Sequence, residues 1–290
     1  MKISRKQALK AMAAGAVGSI SIPSFSAAME NIENLNLADN IQQSVCRWCY
    51  QNIPLDQLCE AAKAMGLKSV ELLHPNEWDV AIKHGLTCAM SFGSDLGIPK
   101  GFNDPQYHEK LLKDYTDLIP KAADHGLKNI ICFSGNRNGM KDDVGLENCA
   151  KGLAPVMKVA EKYNINIVME LLNSKVNHPD YMCDHTPWGV DLCKKVGSKN
   201  FTLLYDIYHM QIMEGDVIAT IDKYHPYISH YHTGGVPGRA EINETQELYY
   251  PAIMHAIIKT GYKGFVGQEF VPKGPDPLAS LKEGVKICDV

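Results

Sequence analysis

The chain has 290 residues, of which 45% are hydrophobic, and a formal net charge of −4. This is the composition of a folded globular protein with a large core. The slightly acidic balance lacks the basic footprint of a nucleic-acid-binding protein, and no apolar run approaches the roughly 20 residues that cross a bilayer. We therefore predict neither a nucleic-acid partner nor a membrane span.

The N-terminus has the layout of an export signal. Basic residues precede a weakly apolar stretch from Ala11 to Ile22, and small residues follow at 26–28. That order is typical of a secretory signal peptide, and the segment resembles a twin-arginine signal with Lys6 in place of the second arginine. We predict a signal over 1–28 and a periplasmic protein, or a cytoplasmic one if the N-terminus is not a signal. Residues 29–40 are a polar lead-in to one catalytic domain, 41–290.

One local pattern recurs along this domain. A helix-like stretch ends in glycine, as at Gly66, Gly126 and Gly261, and a short apolar run follows within a few residues. Glycine after a helix tolerates the left-handed conformation that ends it, and short, β-rich apolar runs are typical of parallel strands buried on both faces. We predict strands near 41–46, 68–73, 86–91, 128–134, 165–170, 201–206, 227–232 and 264–269.

Helices alternate with these strands. The first begins with Pro54 at its first position, and longer helices are predicted near 105–125, 143–163 and 247–260. Eight strands alternating with helices predict an α/β protein with a single (β/α)₈ barrel, the TIM-barrel fold. An open doubly wound sheet is the alternative, but no GxGxxG turn follows the first strand.

Polar residues end the last four predicted strands. In a (β/α)₈ barrel the chemistry lies at the carboxyl ends of the strands. Three carboxylates gathered there resist ionising together without a cation, and oxygen ligands with one imidazole suit Mn²⁺, Mg²⁺ or Co²⁺. We predict one divalent metal ion, although each residue taken singly could equally be a capping or salt-bridging group. The predicted ligands are Glu170, Asp206, His232 and Glu269.

Three other residues lie near the ends of predicted strands. His230 points to the same side of its strand as His232, and we interpret it as an interior histidine bonded to a backbone carbonyl rather than as a group beneath the metal. His74 follows the second strand and Trp48 follows the first. Both are candidates for lining the mouth of the barrel and binding substrate, with loop packing as the alternative.

Several segments around these residues are distinctive. They are Met169-Glu-Leu-Leu-Asn173, Tyr205-Asp-Ile-Tyr-His-Met-Gln211, Gly235-Val-Pro-Gly-Arg239 and Gly267-Gln-Glu-Phe270. Through these segments the chain, from about Ile41 to its end, resembles the hydroxypyruvate isomerase family, within the xylose-isomerase-like barrel group that includes the ketose 3-epimerases.

The resemblance implies roles for individual residues. It implies that the four predicted ligands coordinate the metal, that Glu170 and Glu269 are also the catalytic acid/base pair, and that His209 and Arg239 contact the substrate. One position departs from the pattern, because members of the hydroxypyruvate isomerase family tend to carry Gln where this chain has His232, whereas the 3-epimerases carry His there.

The expected reaction is a proton transfer. A divalent metal chelated by a carbonyl and the adjacent hydroxyl acidifies the C–H between them, so that one glutamate can remove the proton and leave a cis-enediolate. Return of the proton to the neighbouring carbon completes the isomerisation. Arg239 could hold a carboxylate in a bidentate fork, which favours a small hydroxy-carbonyl substrate of the hydroxypyruvate/tartronate semialdehyde type, although a structural arginine at the turn is the alternative. Two alternative functions remain open: a ketose 3-epimerase or sugar isomerase, and a non-catalytic metal- or sugar-binding barrel. The protein could also form a homo-oligomer.

Overall fold

A computed structural model of the chain describes residues 35–290. The predicted export signal lies outside the described residues and stays a prediction. Leu35 and Leu37 pack, partly buried, against the core, and the Ala38 N–H donates to the Asp289 carboxylate at 2.9 and 3.0 Å. The end of the lead-in therefore lies against the C-terminus. Among the helices of residues 35–290, none has the length and apolarity of a membrane span.

Within residues 35–290, seven strands form one parallel sheet. Its order is β2-β1-β7-β6-β5-β4-β3, so that each strand from β4 onward lies beside the strand that precedes it in the chain. The parallel direction follows from the helical connections, which return the chain to the same edge after each strand. The strands are β1 (Gln42–Cys46), β2 (Ser69–Glu71), β3 (Asn129–Cys132), β4 (Asn166–Leu171), β5 (Phe201–Asp206), β6 (Ile228–Thr233) and β7 (Phe265–Gln268).

The strand predicted near 86–91 is present only as isolated bridges. Ser69 bridges to Thr87, and Ser91 bridges to both Leu73 and Ile130. This segment thereby joins the two edge strands, β2 and β3, and closes the ring, so the predicted barrel is confirmed. Side chains supply part of the missing ladder, since Ser69 Oγ accepts from the Ala89 N–H at 2.8 Å.

Helices connect the strands and cover the outside of the barrel. The predicted long helices are confirmed, but Pro54 precedes the first helix instead of occupying its first position, because its ψ of 139° is extended. Gly197, with φ of 69°, ends its helix in the left-handed conformation, as the recurring pattern of a glycine after each helix predicts. In the described residues the helices are α1 (Leu55–Ala64), α2 (Trp78–Lys83), α3 (His108–Asp124), α4 (Asp142–Tyr163), α5 (Thr186–Val196), α6 (Ile207–Met213), α7 (Val217–Tyr224), α8 (Tyr250–Lys259) and α9 (Pro277–Cys288).

Two apolar clusters hold the barrel together. The larger one fills the space between strands and helices. The smaller one lies inside the barrel and forms the floor below the carboxyl ends of the strands. Its buried members are Cys46, Leu72, Met90, Ile131, Val168 and Leu204.

Candidate metal centre and substrate cavity

Four side chains converge at the carboxyl ends of consecutive strands. Val168 and Leu204 face the interior cluster, and side chains two residues apart on a strand point the same way. Glu170 on β4 and Asp206 at the end of β5 therefore also point inward. His232 is paired in register with Asp206, which places the two at the same level.

The four predicted ligands are thus brought together. Glu269 directly follows β7 and completes the set. One ligand atom from each of Glu170, Asp206, His232 and Glu269 lies within 4.8 Å of the others, and none of the four residues is more than 5% exposed. Each residue alone is a common feature of strand ends, but their convergence in a buried space is the arrangement expected of metal ligands.

The three carboxylates of this set are not all neutralised by neighbouring cations. Burial raises the pKa of Glu170, and burial raises the pKa of Asp206 to about 7. Burial acts on Glu269 in the same direction, but Arg239 and His232 outweigh it and hold the pKa of Glu269 well below its usual range. Two of three carboxylates therefore resist ionisation, and a divalent cation would remove that resistance.

His232 also has an atom that suits a metal ion. Its Nδ1 lies 2.7 Å from Glu269 Oε2 and 3.6 Å from Glu170 Oε1. Despite these distances, this buried nitrogen makes no hydrogen bond of acceptable geometry. A buried ring nitrogen that lies close to carboxylate oxygens but forms no hydrogen bond with them fits a metal ligand, so the residues present are suited to one divalent ion.

Arg239 is the cation nearest to the carboxylates. Its Nη2 lies 2.8 Å from Asp206 Oδ2 and also contacts Glu269 Oε2. Its guanidinium carbon lies 5.2 Å from the centre of the Trp48 ring and 5.3 Å from that of Tyr208. The two rings hold the guanidinium plane at the site, where it offsets part of the negative charge.

His209 contacts Arg239 on one side and the backbone on the other. Its Nε2 lies 2.8 Å from Arg239 Nη1, and its Nδ1 accepts from the Asn173 N–H at 3.1 Å. Burial and the neighbouring guanidinium hold the pKa of His209 well below its usual range. A neutral imidazole is therefore present here. The sequence pattern predicts no role for Asn173, although this residue ends one of the distinctive segments.

A cavity of about 280 Å³ opens over the metal-ligand set. Glu170 and Glu269 both line it, so the two predicted catalytic carboxylates are accessible to a small molecule. Arg239 and His178 supply the other polar walls. The remaining lining is apolar: Trp48, Leu72, Phe92, Ile98, Ile131, Phe133 and Leu172.

The two residues predicted at the mouth of the barrel are placed differently. Trp48 lines the cavity, and its Nε1 donates to Glu269 Oε1 at 2.6 Å. His74 instead lines an adjoining hollow together with Arg47 and Glu77. Its ring stacks on Phe92 with the centroids 4.6 Å apart. Phe92 lines the main cavity and His74 does not.

Glu71, at the end of β2, was not identified from the sequence. It is fully buried, and its Oε1 lies 2.6 Å from His232 Nε2 and 2.9 Å from His230 Nε2. The interpretation of His230 as a histidine bonded to a backbone carbonyl is therefore wrong, because its partner is this carboxylate beneath the ligand set. Burial alone would raise the pKa of Glu71, but the two histidines outweigh it and lower that pKa. A glutamate inside the apolar run Val70–Leu73 was the signal for such a partner.

Comparison with known proteins agrees with this architecture. The family model described as "Xylose isomerase-like TIM barrel" matches residues 59–289. The chain belongs to that family. A Homo sapiens protein named provisionally as a hydroxypyruvate isomerase is 36% identical, with 78% of each chain covered. The 2-oxo-tetronate isomerase of Pectobacterium atrosepticum is 30% identical over 78% of this chain and 89% of its own.

These relatives confirm the predicted resemblance to the hydroxypyruvate isomerase family, and the chain is accordingly an enzyme of the isomerase class. A solved structure described as an AP endonuclease, family 2, from Brucella melitensis supports the fold. Its TM-score is 0.76 at 24% identity, and the match covers 83% of this chain and 97% of that one. At that identity the likeness concerns the barrel alone.

Proposed function

We propose that the protein is a metal-dependent isomerase of a short hydroxy-carbonyl acid, of the hydroxypyruvate/tartronate semialdehyde or 2-oxo-tetronate type. The observation that carries the proposal is the position of Glu170 and Glu269. Both line one small cavity, and both belong to a buried set of four ligand groups. Proton transfer between neighbouring carbons needs a base beside the substrate and a group that stabilises the resulting negative charge. The two glutamates could act as the base, and a metal ion held by the ligand set would stabilise the charge.

Each residue would have a separate task. Glu170, Asp206, His232 and Glu269 would hold one divalent ion, of which Mn²⁺, Mg²⁺ and Co²⁺ are the candidates. When bound, such an ion acidifies the C–H beside a carbonyl and stabilises an enediolate. Glu170 would remove or return the proton, since its carboxylate lines the cavity within reach of a small molecule. Glu269, which directly follows β7 and also lines the cavity, would act as its partner.

The neighbours of the ligand set would orient the substrate. His209 is fully buried and does not line the cavity, so its Nε2 would contact a substrate oxygen only once Arg239 Nη1 moves away from it. Arg239 would bind the substrate carboxylate with nitrogens that in this structure contact Asp206, Glu269 and His209. A metal ion on Asp206 and Glu269 would replace part of that pairing and free the guanidinium for the substrate. The names of the two relatives support an acid of this kind.

The walls of the cavity favour a short substrate over a hexose. Buried hydroxyl groups need hydrogen-bond partners, and beyond the polar groups around the ligand set the lining is aliphatic and aromatic. A ketose 3-epimerase remains the second candidate, because a histidine occupies position 232. A binding protein without turnover is the third.

Hydrogen exchange at carbon tests the proposal. Protein loaded with Mn²⁺, Mg²⁺ or Co²⁺ is incubated in D₂O with hydroxypyruvate, tartronate semialdehyde or a panel of ketoses, then removed before NMR. We expect deuterium incorporation and conversion of a short acid, both abolished by a chelator. Glu170→Gln and Glu269→Gln should each lower the rate by about 10²–10⁴-fold. Glu214→Gln should not lower it, because the Glu214 carboxylate lies outside the cavity and accepts a hydrogen bond from the Thr186 hydroxyl.

The outcomes separate the candidates. Exchange with ketoses alone would favour the epimerase. Tight metal binding without exchange of any substrate would favour the binding protein. Full activity in both glutamine variants would exclude the proton-transfer roles of Glu170 and Glu269.

A further inference from the structure

Glu71 lies below the ligand set and does not line the cavity. Its carboxylate is enclosed by four groups that can donate hydrogen bonds. Ser44 Oγ bonds to Oε2, and Cys46 Sγ lies 3.5 Å from Oε1. His230 Nε2 and His232 Nε2 complete the shell around Oε1 at 2.9 and 2.6 Å. Because all four partners can donate, the carboxylate is satisfied without a metal ion of its own.

The contact with His232 fixes which ring nitrogen carries a proton. An ionised carboxylate only accepts hydrogen bonds, so the nitrogen that faces Glu71 must be Nε2–H. The lone pair of the other nitrogen, Nδ1, is then left for the ligand set, where Nδ1 lies 2.7 Å from Glu269 Oε2. The pair therefore has the geometry in which a carboxylate orients a metal-ligating histidine from behind.

The neighbouring strand leaves room for this pair. Gly267 on β7 is in register with His232. A Cβ at position 267 would lie 2.5 Å from Glu71 Oε1 and 2.8 Å from His232 Cδ2. Any side chain there would push the carboxylate and the imidazole apart, so the glycine lets three strands contribute to one tightly packed contact.

We propose that Glu71 is a positioning residue, which holds His232 in the Nε2–H tautomer and fixes its ring so that Nδ1 binds the metal ion. The inference rests on the proposed metal centre but assigns a task to a residue outside it. Glu71 does not line the cavity, so we expect its effect on the reaction to pass through His232, the one of its partners that belongs to the ligand set.

Metal affinity measured by calorimetry with Mn²⁺ tests the proposal directly. Glutamine at position 71 is isosteric but uncharged and has a donating end, so it no longer forces the proton onto Nε2. We expect Glu71→Gln to weaken Mn²⁺ binding by about 10–100-fold. The matched control Glu214→Gln, which lies outside the site, should leave the affinity within about twofold of the unchanged protein.

A double-mutant cycle shows whether the effect passes through His232. His232→Gln leaves an amide oxygen as a possible ligand but removes the ring whose tautomer Glu71 sets. In that background Glu71→Gln should cost little further affinity, because a residue that acts through another loses its effect when the other is gone. An equal loss in both backgrounds would overturn the proposal, as would unchanged Mn²⁺ affinity in Glu71→Gln.

Nitrogen NMR of the unchanged protein provides a test that needs no variant to fold. In ¹⁵N-labelled protein loaded with diamagnetic Zn²⁺, His232 should show a protonated Nε2 and a metal-bound Nδ1. A metal-bound Nε2 would overturn the proposal. Failure of the unchanged protein to bind any divalent ion would instead remove the proposed metal centre, and with it the basis of this inference.

Discussion

Trp48 Nε1 donates a 2.6 Å hydrogen bond to Glu269 Oε1, which joins the end of the first strand to the end of the last. The other oxygen of the same carboxylate, Oε2, faces His232 Nδ1 and Arg239. The indole therefore occupies one oxygen and leaves the other for the ligand set. It also fixes the rotation of the carboxylate, on which both ligation and proton transfer depend.

Trp48→Phe should slow catalysis without abolishing metal binding. The variant keeps an aromatic wall for the cavity but removes a hydrogen bond to a charged group, worth about 1.5–3 kcal/mol. We expect kcat to fall by about tenfold or more while the protein still binds one equivalent of metal. Trp188→Phe is the matched control, because Trp188 donates only to the exposed Asp142 carbonyl. An unchanged kcat in Trp48→Phe would show that the bond has no catalytic role.

Arg239→Ala should make the stability of the protein strongly dependent on metal. Removing the guanidinium leaves Asp206 and Glu269 buried without their cation, and breaking a buried pair costs about 3–5 kcal/mol. Added Mn²⁺ should restore much of the loss, so the rise in Tm on metal addition should exceed that of the unchanged protein. Arg137→Ala, which breaks the pair with Asp184 elsewhere, should also lower Tm but gain nothing extra from metal. Equal Tm gains in all three proteins would contradict the prediction.

Metal affinity should fall as the pH is lowered. In the metal-free protein burial raises the pKa of Asp206 to about 7, and the carboxylates hold the pKa of His232 well above its usual range although burial opposes this. Both groups must lose their protons to act as ligands, so metal binding releases protons. Calorimetry at pH 6 in buffers of different ionisation enthalpy should detect that release, with weaker binding than at pH 8. Affinity that is independent of pH would show that these groups are not ligands.

Asp184→Asn should destabilise the fold at neutral pH but not in acid. Asp184 is buried and accepts from Arg137 Nη2 at 3.0 Å and from Ser174 Oγ at 2.5 Å. Burial alone would raise its pKa, but these partners lower it. The stabilisation is therefore present above the unfolded pKa of about 3.9 and is lost as the pH falls through the folded pKa. We expect a loss of about 3 kcal/mol in the free energy of unfolding at pH 7, which shrinks below about pH 4. A loss that persists unchanged at pH 3 would show that the charge is not its source.

The sequence predicts the barrel and the ligand set well because both follow from local patterns. Glu170 and Asp206 each follow an apolar run at the point where a strand ends, and parallel strands bring such ends to one rim. The same reasoning is less successful for the segment 86–91. Its apolar residues predict a regular strand, but the segment pairs with its neighbours only through isolated bridges, and the Ala89 N–H donates to the Ser69 side chain, which no periodicity reveals.

Contacts between residues that are far apart in the chain are harder to predict from the sequence. Glu71 is part of a buried strand, and only the closed barrel shows that it meets His230 and His232, about 160 residues away. The hydrogen bond between Trp48 and Glu269 likewise depends on ring closure. A charged residue in an apolar strand requires a buried partner, but the identity of that partner is a property of the fold.

The segment 86–91 should make one side of the barrel less stable to local opening than the other. It lies across the ring from the four consecutive strands that bear the ligands, and it is held by isolated bridges where those strands are regularly paired. Local opening starts where a ladder is weakest, so amide hydrogens of this segment should exchange with solvent sooner than those of β4 to β7. The half of the ring that bears the metal-ligand set can then stay rigid while the opposite half opens locally.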